Sequence, residues 1–317
     1  MKIAFFEIPK KQQAFFSQAL TGGEIVFYEE KLSLDNVNMA KDADIISGFT
    51  NSVISKEIID SLANLKLIAT RSTGFDHIDV AYANTKGIKV SNVPAYGSET
   101  VAEFTFVLLL TLSRKIREAS RSLKENGDYS ISENLQGFDL DKKTLGVIGT
   151  GKIGKNVIHI AHGFNMNVLA YDLYPDLVFA KENNFIYKTL PEVLAQSDIV
   201  TLHAPYTKEN HHLINKENIS LLKNGAYLIN TARGELIETE ALISALRNGT
   251  VAGAGLDVLE GERGLKKGDT IPMLEMSNVI MTPHIAFDTK EAEMRIMQTT
   301  VANIQGFISN LPINLVM

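Results

Sequence analysis

Short apolar runs alternate with helix-length stretches of mixed polarity along this chain, and that alternation admits few folds. KIAFF, EIVFY, DADIIS, LKLIATRS and IKVSNV come first; TLGVI, MNVLAY, DIVTLH, GAYLIN, VAGAGLDV and NVIMT follow after Asp139. Each reads as a strand buried on both faces and bounded by polar or glycine-containing turns. Strands of that kind, separated by helices, predict doubly wound parallel sheets of the α/β class. Residues 55–62 carry apolar side chains at helical spacing, and residues 78–85 run into the helix stop Lys86-Gly87. A long helix is expected over residues 99–123, with Asn126, Gly127 and Asp128 breaking the pattern after it. Two α/β series, and a length of 317 residues that exceeds the usual size of one core, predict two domains. Residues 261–270, rich in glycine and charge, form a loop before the last strand, where function is often carried.

Composition narrows the chemistry. Apolar residues at 45% and charged residues at 21% are the balance of a soluble globular protein. The net charge of −6 is spread without runs, so nucleic-acid or anionic-membrane binding gains no support. With no cysteine there is no disulfide, thiolate nucleophile or cysteine-bound metal, and redox chemistry would need a borrowed cofactor. The N-terminal stretch, broken by Glu7 and Pro9, does not read as a signal peptide, which gives a cytoplasmic expectation. The longest apolar run, residues 104–112, falls far short of the roughly 20 residues of a spanning helix.

Gly149-Thr150-Gly151-Lys152-Ile153-Gly154 is a weak motif in isolation and a strong one in this setting. It follows the strand-like TLGVI, opens the helical KIGKNVIHIAHG, and is followed by a strand ending in Asp172. The first glycine permits the tight turn, the second admits a pyrophosphate to the backbone, and the third lets helix and strand pack closely. The helix N-terminus then stabilises the phosphate charge. Asp172 is placed to accept hydrogen bonds from the ribose hydroxyls and to repel a 2′-phosphate, so NAD is expected over NADP unless Lys181 or another base reaches the same spot.

A second constellation lies after three later strands: Arg233 in NTARG, Asp257 and Glu262 in GLDVLEGE, and His284 in TPHIA. The C-terminal strand ends of an open parallel sheet line its ligand crevice, so these side chains would converge near a nicotinamide. Reducing a ketone needs a proton donor beside the developing alkoxide, which suits a histidine. Glu262 could keep His284 charged, and the two-donor fork of Arg233 could hold a substrate carboxylate and polarise the carbonyl. Each also has a plainer reading: Arg233 as a surface ion pair, Glu262 as one of several acids beside Glu260, His284 as a core histidine. His159 and His162 sit three apart on one helix without a third ligand, so no metal site is expected. His203 ends a strand and could contact cofactor; His211 and His212 read as loop residues.

RSTGFDHID, NVPAYGSETVAE, LGVIGTGKIG, YLINTARGE, GAGLDV and TPHIAF together resemble the D-isomer-specific 2-hydroxy acid dehydrogenase family, in its order and spacing over nearly the whole chain, with D-lactate dehydrogenases the nearest in look. The resemblance implies a Rossmann NAD-binding domain, residues 101–286, inserted in a flavodoxin-like substrate domain of residues 1–100 plus 287–317. It implies that Arg233, Glu262 and His284 are the catalytic set and that Asp257 lies near the nicotinamide. Backbone amides around Thr73 and Gly74 would hold the substrate carboxylate, with Tyr96 near the substrate; where D-lactate dehydrogenases often show an aromatic pair after the histidine this chain has Phe287 and Asp288, and Phe49 and Phe287 would make a small apolar wall. Val101, Lys152, Ile153, His203, Pro205, Asn210, Thr231 and Ala232 complete the expected cofactor-binding set. Residues 101–112 look like the family's dimer-forming helix, so a homodimer is expected, and hinge motion at the two crossings would close the site. Arg263 and Gly264 follow Glu262 where many relatives have proline, and Glu262 rather than Glu260 rests on the five-residue step from Asp257. The absence of clustered basic residues favours pyruvate or another short 2-oxo acid over a phosphorylated one. The chain also stops at Met317 without the extension that forms a regulatory domain in many phosphoglycerate dehydrogenases. Hydroxypyruvate, glyoxylate and branched 2-oxo acids are the competing substrates; a non-catalytic NAD-sensing module is the competing class, against which the intact Arg233, Glu262 and His284 argue.

Overall fold

The computed structural model describes residues 1–127 and 129–316, so Asp128 and Met317 lie outside the described residues. The chain divides into two compact units, residues 1–96 with 289–317, and residues 97–288.

The smaller unit holds strands β1 (Lys2–Phe5), β2 (Glu24–Phe27), β3 (Ile45–Ser47), β4 (Leu67–Ala69) and β5 (Lys89–Ser91) in the order β2-β1-β3-β4-β5, all parallel. Its helices are α1 (Lys10–Ala19), α2 (Lys56–Ser61) and α3 (Val80–Thr85), and the chain returns to it for its last helix. Neighbouring residues of one strand enter different cores: Ile46 and Ile68 one, Ile45 and Leu67 the other. Both faces are therefore covered by helices, as the unbroken apolar runs require. Each such side chain, wholly removed from water, contributes about 1.5–3 kcal/mol.

The larger unit begins with α4 (Ser98–Ser113) and α5 (Ile116–Asn126), then β6 (Thr144–Ile148), α6 (Lys152–Gly163), β7 (Asn167–Tyr171), α7 (Leu177–Glu182), β8 (Ile186–Tyr187), α8 (Leu190–Gln196), β9 (Ile199–Leu202), β10 (Ala226–Asn230), α9 (Thr239–Asn248), β11 (Val251–Leu256) and β12 (Val279–Met281). The sheet order is β12-β11-β10-β9-β6-β7-β8, again wholly parallel. The order reverses between β6 and β9, and a crevice outside the carboxyl ends of these strands is where such sheets take ligands. The smaller unit's last helix is α10 (Lys290–Ile308), capped by the Thr289 hydroxyl, which accepts from the Ala292 amide at 3.2 Å. No helix of the described residues is long and apolar enough to cross a membrane.

Two elements differ from expectation. The long helix over 99–123 is two helices, parted where Lys115 takes a left-handed conformation at φ 52°. A non-glycine residue there costs roughly 1–2 kcal/mol. Distant partners hold the bend: the Arg117 guanidinium donates to the carbonyls of Val279 and Ser277, each at 2.6 Å, and the Phe138 amide donates to the Ser113 carbonyl at 2.9 Å. β8 was not anticipated, because two residues on a sheet edge leave no periodic signature.

Candidate active site

The glycine turn joins β6 to α6, and each glycine has its own geometry. Gly149 sits at φ 93°, and a Cβ there would lie 2.5 Å from the Ala204 amide nitrogen. A Cβ on Gly154 would fall 2.0 Å from the Gly149 carbonyl oxygen, so α6 approaches β6 only because this position lacks one. A Cβ on Gly151 would meet nothing within 4 Å, so the backbone there faces open space. Gly151 caps α6 without a side-chain hydrogen bond, and no acid occupies the first turn, which leaves the amide end of the helix available to an anion.

Asp172, just beyond β7, is bound to this turn. Its Oδ2 accepts from the Thr150 amide at 2.6 Å and the Thr150 hydroxyl at 2.9 Å, and its Oδ1 accepts from the Tyr174 amide at 2.9 Å. Thr150 also meets the Tyr187 hydroxyl at 2.8 Å. Sequence reasoning gave neither Thr150 nor Tyr187 a role; Thr150 occupies a variable place in the motif, and Tyr187 lies on the unanticipated β8. Open backbone at Gly151, an uncapped helix end and an anchored carboxylate at the end of β7 together fit the pyrophosphate and ribose of a dinucleotide. His203 follows β9 and is buried, its Nε2 2.9 Å from the Thr201 hydroxyl, and burial pushes its pKa down to about 3, so its ring stays neutral.

Farther along the same sheet edge, His284 and Glu262 meet: His284 Nδ1 lies 2.5 Å from Glu262 Oε1, and both side chains are about a quarter exposed. Glu262 Oε2 accepts from the Leu259 amide at 3.0 Å. Burial acts to raise the Glu262 pKa, but the His284 hydrogen bond and charge, the Leu259 amide and the Arg233 charge outweigh it and hold the carboxyl below its ordinary range. Glu260 points elsewhere, its Oε1 2.6 Å from His212 Nε2, so Glu262 is the partner of His284. Gly261 between them, at φ 72°, sends the two acids in different directions.

Asp257, only 1% exposed, has three accepted hydrogen bonds: Oδ1 from the Thr282 hydroxyl at 2.6 Å and the Ile285 amide at 2.9 Å, Oδ2 from the Ala286 amide at 2.8 Å. Burial raises its pKa against these bonds. Its carboxylate thus latches the segment that carries His284, whose own φ is 55° and whose amide donates to the Asp257 carbonyl at 2.8 Å. Arg233 leaves β10 as the Asn230 side chain ties the turn, donating to the Arg233 carbonyl at 2.8 Å and accepting from the Ala232 amide at 3.0 Å. Thr231 meets Thr105 of α4 at 3.1 Å, and Asn210 spends its side chain closing its own loop onto Pro205 and Thr207. Val101 is buried in α4, Lys152 and Ile153 open α6, and Phe287 lies edge-on to His284 with centroids 6.5 Å apart.

In the smaller unit the Thr73 hydroxyl donates to the Val93 carbonyl and the Asn92 amide group to the Thr73 carbonyl, each at 2.7 Å. The Thr73 and Gly74 amides spend no hydrogen bond within the described residues. Phe49 is positioned by two groups the sequence reading passed over: its amide donates to Glu7 at 3.2 Å, and the buried Arg71 guanidinium lies 6.0 Å from its ring. Arg71 is itself fixed by the carbonyls of Ser47, Phe6 and Glu7. Tyr96 is buried, its carbonyl accepting from Arg295 at 2.7 Å.

Residues 106–286 match the family model described as D-isomer specific 2-hydroxyacid dehydrogenase, NAD binding domain. The chain is 41% identical to an aromatic 2-oxoacid reductase of Clostridium sporogenes, over 85% of this chain and 84% of that one. It is 36% identical to the D-lactate dehydrogenase of Escherichia coli over 96% of each. Its fold is similar to the solved structure of a D-lactate dehydrogenase from Aquifex aeolicus complexed with NAD and lactic acid, with a TM-score of 0.91 and 40% identity over 98% of this chain and 96% of that one.

Proposed function

The chain belongs to the D-isomer specific 2-hydroxyacid dehydrogenases and uses NAD, and from that premise we propose that it reduces pyruvate to D-lactate, with His284 as proton donor. The observation that carries the assignment is the Glu262–His284 pair at 2.5 Å, about a quarter exposed and beside the Arg233 charge. The turn from Gly149 to Gly154 and Asp172 would hold NADH, with Val101, His203, Pro205, Asn210, Thr231, Ala232 and Asp257 completing its surroundings, and the bound cofactor would supply hydride to the keto carbon. With Nδ1 on Glu262, His284 presents Nε2 to the forming alkoxide and gives up its proton there; Glu262 stabilises the imidazolium until it does. The Arg233 fork takes the substrate carboxylate and draws charge onto the carbonyl oxygen. In the smaller unit the uncommitted amides of Thr73 and Gly74 are carboxylate donors, and Phe49 and Tyr96 are the apolar groups we assign to the substrate side chain, with Phe287 in the larger unit. Residues 97–288 are then the cofactor domain and the smaller unit the substrate domain.

Pyruvate, hydroxypyruvate, glyoxylate, 2-oxoisocaproate and phenylpyruvate, compared by loss of NADH absorbance with the chirality of the product determined, test this reading. Pyruvate is expected to turn over fastest and give D-lactate. Preference for phenylpyruvate would support a second reading, aromatic 2-oxo acid reduction, which the Clostridium sporogenes relative favours. No turnover on any of them would end the enzyme assignment.

Replacing Asp172 by Ala should weaken NADH binding and relax discrimination against NADPH, because the carboxylate that would repel a 2′-phosphate is gone. Fluorescence titration with both cofactors checks it, and an unaltered preference would remove Asp172 as discriminator. α4 leaves Val107 51% exposed, and we assign this helix, residues 101–112, to a homodimer contact. Sedimentation equilibrium should give twice the chain mass of 34.9 kDa; a monomer would refute the contact.

A further inference from the structure

Two consecutive histidines and the acid that does not serve His284 come together on the larger unit. One ligand atom each from His211, His212 and Glu260 all lie within 4.8 Å of one another. The two imidazoles stack with centroids 3.8 Å apart and planes inclined by 25°. Consecutive side chains of an extended chain point to opposite faces. Here His212 is left-handed at φ 53°, held by its amide donating to the Glu235 carbonyl at 2.9 Å, and both rings fall on one side.

The groups behind His211 and Glu260 orient them as outer-shell partners do. Glu260 Oε1 is 2.6 Å from His212 Nε2, while Oε2 accepts from the Thr239 hydroxyl at 2.8 Å. The Tyr206 hydroxyl lies 3.4 Å from His211 Nδ1, which leaves His211 Nε2 as its ligand atom. Two imidazole nitrogens and one carboxylate are the donor set of a zinc-class ion, with a fourth position left for water. Calcium or magnesium would want more oxygens.

We propose that His211, His212 and Glu260 form a binding site for a divalent transition-metal ion of the zinc class, separate from the Glu262–His284 pair. The ion replaces the His212–Glu260 hydrogen bond, and Thr239 and Tyr206 remain as the orienting groups. Because Glu260 is joined to Glu262 through Gly261 alone, the ion ties that loop to the segment that follows β9. The assignment does not depend on which 2-oxo acid the enzyme reduces.

The untagged full chain, stripped with a chelator, would be titrated with Zn²⁺ by calorimetry and with Co²⁺ by visible absorption. One ion per chain is expected, with a Co²⁺ spectrum of low-coordinate, nitrogen-ligated type. His211→Asn, His212→Gln and Glu260→Gln should each weaken Zn²⁺ binding by at least about 10- to 100-fold. The melting temperature should rise with Zn²⁺ in the parent and not in His211→Asn. His211 is exposed, so this variant folds even if the other two do not, and its metal-free turnover should equal the parent's. No stoichiometric binding by the parent, or Zn²⁺ binding of equal strength in His211→Asn and Glu260→Gln, would overturn the site.

Discussion

Replacing His284 by Asn should lower turnover by roughly 10²- to 10⁴-fold while leaving NADH binding nearly intact, the usual worth of one positioned proton donor. Asn is the better variant than Ala because His284 stands at φ 55°, a left-handed conformation that Asn tolerates and Ala does not. Gly149, Gly151 and Asp172, which we assign to the cofactor, share no hydrogen bond with His284, which is why binding and turnover should separate. Single-turnover rates with saturating NADH, set beside a fluorescence titration, decide it. Turnover within a few-fold of the parent would show that His284 is not the donor.

Arg233→Gln should cost roughly 10²- to 10³-fold in kcat/KM for the oxo acid, since it removes both the carboxylate fork and a fixed charge at the carbonyl. It should also move the acid limb of the pH profile. The Arg233 charge is one cause that keeps the Glu262 pKa below its ordinary value, so its loss raises that pKa. Glu262 is ionised only above its pKa; a higher one means that the charged pair with His284 is lost at a higher pH as the solution is acidified. The acid limb should therefore shift upward in the variant. A loss below about 10-fold with an unmoved limb would take Arg233 out of the assignment.

The two α/β series and the glycine turn were legible in the sequence because they rest on local pattern. Unbroken apolar runs announce strands buried on both sides, and the glycine spacing between a strand and a helix announces the turn, within which Gly154 packs on the Gly149 carbonyl; the Ala204 amide that excludes a side chain at Gly149 comes from the distant segment after β9. The position of Asp172 just after β7 was legible for the same reason, at a fixed step along one strand–helix–strand unit. Arg71 and Glu7 were not: their task is to fix Phe49, and each reaches it from a different strand end.

The break at Lys115 shows how the illegible part arises. No glycine or proline marks it, and it persists because Arg117 finds carbonyls more than 150 residues downstream. Glu260 and Glu262 make the same point at the site. By composition either acid could serve His284, and spacing alone favoured one; the turn at Gly261 sends Glu262 to His284 and Glu260 to His212. By itself the sequence determined the α/β class, the glycine turn between a strand and a helix and the residue types available for chemistry, because those follow from side-chain period and backbone sterics over a few residues. The partners of each charged group, the latch of Asp257 on the His284 segment and the meeting of His211, His212 and Glu260 were decided only in three dimensions, where close approach between distant segments sets hydrogen bonding and the energy of a buried charge.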